Sequence, residues 1–154
     1  MKNLLVPVLL FFGMLCGWNC QQRAASFSED ELKISVSTIC GWCAGGDSLL
    51  ITASSTVYRH TFGCNEKTET IRAKTEKADW DALIASLDRD AFEKIDLNIC
   101  NVCADGCDIR ATVREKKFAH TISYGNIDNE AVAEVRPFLK VLESMLGQFR
   151  AQNQ

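Results

Sequence analysis

Cys100-Asn101-Val102-Cys103-Ala104-Asp105-Gly106-Cys107 puts three cysteines within eight residues and contains an Asp-Gly turn signal just before the last of them. Immediately after it, Ile109, Ala111 and Val113 alternate with Arg110, Thr112 and Arg114. A period of two marks a half-buried strand, because successive side chains point to opposite faces. Phe118, His120, Ile122 and Tyr124 repeat the pattern after a short connection around Glu115 and Lys116. The cysteine-rich turn therefore opens onto a β-hairpin.

Upstream the same period recurs. Leu32 to Ser37 alternates and runs into Ile39-Cys40-Gly41-Trp42-Cys43. Ala44-Gly45-Gly46-Asp47 reads as a turn, Leu49 to Ala53 as a second strand and Thr56 to Phe62 as a third. After Gly63-Cys64-Asn65, Thr68 to Lys74 reads as a fourth strand, polar enough for a sheet edge. The period then changes. Trp80, Leu83, Ile84 and Leu87 share one helical face, predicting a helix over Lys77 to Asp88, with Phe92 and Ile95 packing beyond it.

Past the second hairpin, Asp128 or Asn129 is the N-cap candidate for a last helix. Its stripe is Val132, Val135, Phe138, Leu139, Leu142, Leu146 and Phe149. Pro137 lies inside the stripe, so either the helix kinks or a second helix begins with Pro137 in its first turn. The resulting order is β-β-β-(β)-α-β-β-α. Strands in hairpins and helices in separate blocks predict an α+β fold with a mostly antiparallel sheet and both helices on one face.

The first twenty residues belong to a different grammar. Lys2 precedes an apolar run of twelve residues, Leu4 to Leu15, and Cys16-Gly17-Trp18-Asn19-Cys20 follows. The run is too short to span a bilayer comfortably and contains Pro7 and Gly13, so it reads as an export leader. Its end resembles a bacterial lipoprotein signal, in the looser form found in Bacteroidota-like bacteria. That resemblance implies a diacylglyceryl thioether on a cysteine and cleavage just before it. Cysteine parity favours Cys20 over Cys16, because six other cysteines then remain in the mature chain. An ordinary secretory signal is the alternative, but Gln22 and Arg23 before Ala24 and Ala25 make a poor cleavage site.

On this reading residues 1–19 are the leader, 20–31 the lipidated cysteine and a polar tether, 32–149 one α+β domain and 150–154 a polar tail. From Leu32 to Phe149 the chain also resembles small uncharacterised domains of exported bacterial lipoproteins. The resemblance implies a lipid-anchored place in the cell envelope, at the outer membrane or cell surface rather than the inner membrane, with the membrane itself as partner. It implies no chemistry.

Cys40, Cys43, Cys64, Cys100, Cys103 and Cys107 admit three readings. Export favours disulfides, of which six cysteines allow fifteen pairings. Hairpin geometry brings Cys64 back beside Cys43 or Cys40 and leaves the other thiol to reach the Cys100–Cys107 cluster. A four-thiolate zinc knuckle is the second reading, since Cys40-x2-Cys43 and Cys100-x2-Cys103 each have half of its spacing. The 56 residues between the pairs exceed the usual separation. The third is thiol redox chemistry at Cys40-Gly41-Trp42-Cys43, which lacks the following helix that lowers a thiol's pKa.

Nothing else nominates an enzyme. His60 and His120 alternate with aromatics and read as packed sheet residues; a metal pair across the sheet is the sharper alternative. No phosphate loop, nucleophile elbow or calcium loop is present, and no pattern calls for a cofactor. Net charge is −3, and about −4 once Lys2 leaves with the leader (16 Lys+Arg against 20 Asp+Glu), which does not favour nucleic acid. Arg114, Lys116 and Lys117 read as a solvated hairpin tip. Trp42 reads as local packing, with exposed recognition as its alternative. The expected role is a binding or structural module of the envelope, with a zinc or thiol-redox enzyme as the competing class.

Overall fold

The computed structural model describes residues 32–63, 67–116 and 118–152. Six strands form one antiparallel sheet: β1 (Lys33–Cys40), β2 (Gly46–Ile51), β3 (Ser55–Phe62), β4 (Lys67–Lys74), β5 (Cys107–Glu115) and β6 (Phe118–Tyr124). Their order is β4-β3-β2-β1-β5-β6. The first four strands meander to one edge. The chain then crosses the sheet through α1 (Lys77–Ser86) and α2 (Arg89–Lys94) and returns on the far side of β1. A 3-10 segment, Glu130–Val135, leads into α3 (Arg136–Gln152). The expected α+β architecture is the observed one, and the fourth strand is real and lies at an edge.

Alternation dictates which face is buried. Ile34 and Val36 of β1, Leu49 and Ile51 of β2, Ala111 and Val113 of β5 and Ile122 and Tyr124 of β6 all point to one face and are buried. Trp80, Leu83, Phe92, Phe138, Leu139 and Leu142 from the helices close over them. Each fully buried side chain of this size contributes about 1.5–3 kcal/mol of transfer free energy.

Local chemistry explains where the elements differ from their expected bounds. The single helix expected over 77–88 ends at Ser86, and Leu87 and Asp88 are extended. The Asp88 carboxylate accepts from Ala91 N at 2.9 Å and so caps a second helix, a role Asp fills better than a helix interior. Asn129 rather than Asp128 caps the next segment, accepting from Ala131 N at 2.9 Å. Pro137 then sits in the first turn of α3, where its missing N–H breaks no hydrogen bond. Helix α3 also continues past Phe149 to Gln152, so Arg150 belongs to the helix.

Both sheet edges are managed. Strand β4 is almost wholly exposed and carries Lys67, Glu69, Arg72 and Lys74, charges that discourage pairing with another chain. On β6, Ser123 N donates to Leu97 O (2.8 Å) and its O accepts from Ile99 N (3.0 Å), so the Leu97–Ile99 segment covers that edge. The same segment delivers the chain to Cys100.

Candidate functional site

The cysteines gather at the end of the sheet where β1 finishes and β5 begins. Cys40 and Cys107 are direct register partners on neighbouring strands and form a disulfide, Cα–Cα 4.1 Å. Cys100 and Cys103 form a second, Cα–Cα 5.4 Å, closing a single turn. Cys43 is also disulfide-bonded. Cys64 lies outside the described residues, as do Cys16 and Cys20 and the leader and tether they belong to. Every described cysteine is thus oxidised.

This pairing separates the alternatives. Cys40 is bonded to Cys107 and Cys100 to Cys103, so the two C-x2-C pairs are not four thiolates converging on one centre. Among the described residues no group of three or more His, Cys, Asp or Glu side chains is placed to hold a metal ion. Cys40 and Cys43 are not bonded to each other, whereas Cys100 and Cys103 are. The bridge of C-x2-C form is therefore Cys100–Cys103. His60 on β3 and His120 on β6 lie four strand spacings apart, about 19 Å, too far to share an ion. His120 is held by packing, its ring edge-to-face with Phe92 and its Nε2 2.8 Å from Ile95 O.

A buried carboxylate ties the cysteine turn to the sheet. Asp108 is fully buried, and accepts from Asn101 N (2.7 Å) and Val102 N (3.4 Å). Gly41 N donates to Gly106 O at 3.0 Å, joining the turn after β1 to the turn before β5. A Cβ on Gly41 would crowd Asp105 Cα at 3.1 Å and Val102 O at 3.2 Å.

Trp42 crowns the tip. Ala44 N donates to Gly41 O (3.1 Å), and the two central residues, Trp42 (φ 48°) and Cys43 (φ 60°), are both left-handed. This turn geometry favours Asn and Gly; two bulkier residues hold it at a cost in backbone strain. Trp42 is 82% exposed, so its side chain is displayed and does not pack locally, contrary to the expectation from sequence. Ile39 (36%) and Phe62 (41%) are the other exposed large apolar residues at this end. Beneath them lies a cavity of about 410 Å³ lined by Thr38, Cys40, Cys43, Asp47, Ser48 and Thr61 among others.

Asp47 is the residue that sequence reading placed wrongly. Expected in a turn, it lies in β2 with its side chain on the helix face and only 10% exposed. Its Oδ1 accepts from Tyr58 Oη–H (2.6 Å) and His60 Nδ1 (2.7 Å). Its Oδ2 accepts from Arg150 Nε (2.8 Å) and forms an ion pair with Nη2 (2.7 Å). Burial by itself would raise the carboxyl's pKa. The hydrogen bonds from Tyr58 and His60 and the charge of Arg150 together outweigh it and hold Asp47 below the ordinary carboxylate value. Tyr58 is pushed up to about 12, by burial first and then by Asp47. With both oxygens engaged, Asp47 is a clasp between β2, β3 and α3. It is not poised to take a proton from a substrate. The signal available in sequence was the alternation Asp47, Leu49, Ile51, which extends β2 back through the apparent turn.

No family model matches the chain, and no curated protein matches it in sequence.

Proposed function

We propose that the chain is an exported lipoprotein, anchored through Cys20, whose disulfide-tied domain serves as a binding module at the envelope. The observation that carries this reading is the oxidation of every described cysteine, five in all. Disulfides of this density form and persist in exported compartments, which accords with the apolar leader. No helix among the described residues is long and apolar enough to cross a membrane. Two or three acyl chains suffice for stable anchoring where one is marginal. Binding is preferred over a purely structural role because Trp42 is held outward on a strained turn. Aromatic residues displayed in this way are common anchors of interfaces.

The experiment is incorporation of labelled palmitate in a bacterial host. Label is expected on the wild-type chain and on Cys16→Ser, and is expected to vanish in Cys20→Ser. Label lost in Cys16→Ser alone would move the anchor; label absent throughout would sink the anchored reading.

One observation favours a second reading, thiol–disulfide exchange. Cys100 and Cys103 are both exposed and close a C-x2-C bridge. Selective alkylation of these two cysteines under mild reduction, with turnover of a dithiol substrate, would establish it. Loss of all bridges at one reducing potential would exclude it.

A further inference from the structure

All three helices pack on one face of the sheet and leave most of the other face open, the Asn101–Val102 turn covering it at Asp108. The strand registers place Lys33, Arg59, Arg72, Lys74, Arg110 and Arg114 on that open face. All six are exposed. Among the described residues none of them has an acidic partner or a side-chain hydrogen bond. The one acid with open-face alternation on these strands is Asp108, and it is fully buried beneath the Asn101–Val102 turn. Between the cations run short hydroxyl side chains: Ser35, Ser37, Ser48, Thr70, Thr112 and Thr121. Asp79, Asp81, Asp90, Glu93 and Glu134 lie on the helical segments of the other layer. A chain of net charge −3 therefore presents one sheet face on whose strands the exposed charged side chains are all cations, with Ile39 and Leu50 as exposed apolar neighbours.

The cations are spread, not clustered. Lys74 on β4 and Arg114 on β5 are four strand spacings apart, about 19 Å. Such an array does not converge on a single phosphate; it matches a plane that carries many. The position of the row Lys74, Lys33 and Arg114 adds a second argument. It lies at the start of β1, where the chain enters the domain. Only eleven residues, 21–31, separate Cys20 from Leu32, a reach of at most about 40 Å.

We infer that the open face of the sheet is a docking surface for an anionic bilayer, with its six cations set against lipid phosphates. The inference rests on the anchored reading for its geometry and extends it: the lipid confines the domain, and the cationic face orients it. Trp42 projects from the opposite end of β1 to the tether, and so remains available to a partner in this orientation.

The test uses the exported, lipidated chain reconstituted on vesicles of equal parts phosphatidylglycerol and phosphatidylcholine, compared with phosphatidylcholine alone. Acetylation rates are read by peptide mass spectrometry at Lys33 and Lys74 on the open face and at Lys94 and Lys140 on the helices. At low salt, Lys33 and Lys74 are expected to react about fivefold more slowly on the anionic vesicles, the scale set by one cation near such a surface. Lys94 and Lys140 are expected not to change. The protection should disappear at high salt, where screening shortens the reach of the field. It should also disappear in the triple variant Arg59→Ser, Arg72→Ser, Arg110→Ser. Equal rates on both vesicles, or uniform slowing of all four lysines, overturns the inference. So does protection by an added nucleic-acid duplex or acidic polypeptide that anionic vesicles fail to produce. Intact mass reports the acyl chains separately. If they are absent, flotation of the unlipidated chain with the same vesicles still decides whether the face binds.

Discussion

Arg150 donates through Nε to Oδ2 of Asp47, 103 residues away in sequence, at 2.8 Å, and its Nη2 lies 2.7 Å from the same oxygen as an ion pair. This contact fastens the last turn of α3 to the second strand of the sheet. Its two halves are unequal. The Arg150 side chain is 39% exposed and partly screened by solvent, whereas that of Asp47 is 10% exposed. Arg150→Met should therefore cost only about 1 kcal/mol. Asp47→Ala should cost roughly 2–3 kcal/mol, because it leaves Tyr58 Oη–H and His60 Nδ1 without their acceptor. Urea unfolding of the two variants checks the order. Equal losses would mean that Asp47 works through Arg150 alone.

The same clasp sets a pH dependence. The Asp47 pKa in the fold lies below its ordinary 3.8, so its stabilisation is complete above that value and is lost as pH falls through the folded pKa. Glu143 behaves oppositely. Burial raises it above 4.5, the hydrogen bond from Tyr124 (3.1 Å) opposes that, and the charge of Asp128 adds to it. Ionised Glu143 thus costs stability at neutral pH, and the cost is relieved as pH falls through its folded pKa. Thermal midpoints should rise slightly as pH falls from neutral through the raised Glu143 pKa, and should fall as pH drops below 3.8. Glu143→Gln should flatten the rise, and Asp47→Asn should soften the acid fall. A wild-type profile unchanged in both variants would contradict the assignment.

The disulfides should differ in weight because they close loops of different length. Cys40–Cys107 spans 67 residues of sequence and Cys100–Cys103 spans 3. By chain entropy the first is worth roughly 4 kcal/mol and the second under about 2 kcal/mol. Cys40→Ala/Cys107→Ala should lower the urea midpoint far more than Cys100→Ala/Cys103→Ala. Equal shifts would mean that the short bridge stabilises by another route.

Peptide mapping without reduction should join Cys43 to Cys64. Gly63 lies against Cys43, whose O would sit 2.6 Å from a Cβ built there, and the next residue in the chain is Cys64. A Cys43 linked to any other cysteine would refute this pairing.

The tryptophans offer a contrast. Trp42→Ala should change stability by less than about 0.5 kcal/mol, since the side chain is displayed to solvent. Trp80 is 4% exposed, and Trp80→Ala should cost about 3–5 kcal/mol. Trp80 Nε1 is buried without an acceptor among the described residues, so Trp80→Phe removes an unsatisfied donor and should cost no more than about 1 kcal/mol. A large loss in Trp42→Ala would return that residue to a packing role.

What the sequence alone determined is the part governed by local periodicity. Ile109, Ala111 and Val113 against Arg110, Thr112 and Arg114 specify a strand and its buried face, and Trp80, Leu83 and Ile84 specify a helix, because side-chain direction depends only on backbone pitch. Element ends were less legible. Whether Asp88 extends one helix or caps another depends on a single carboxylate finding Ala91 N.

Tertiary structure alone decided the order β4-β3-β2-β1-β5-β6, and with it everything that joins distant residues. It chose Cys107 for Cys40 among the possible partners and brought Arg150 to Asp47. It also set Lys74, Arg59, Lys33 and Arg114 on one open face, although no two of them are neighbours in the chain. The physical reason is that strand pairing is non-local. Each strand announces its own two faces, but which strands lie side by side is settled only when the whole apolar face is buried at once.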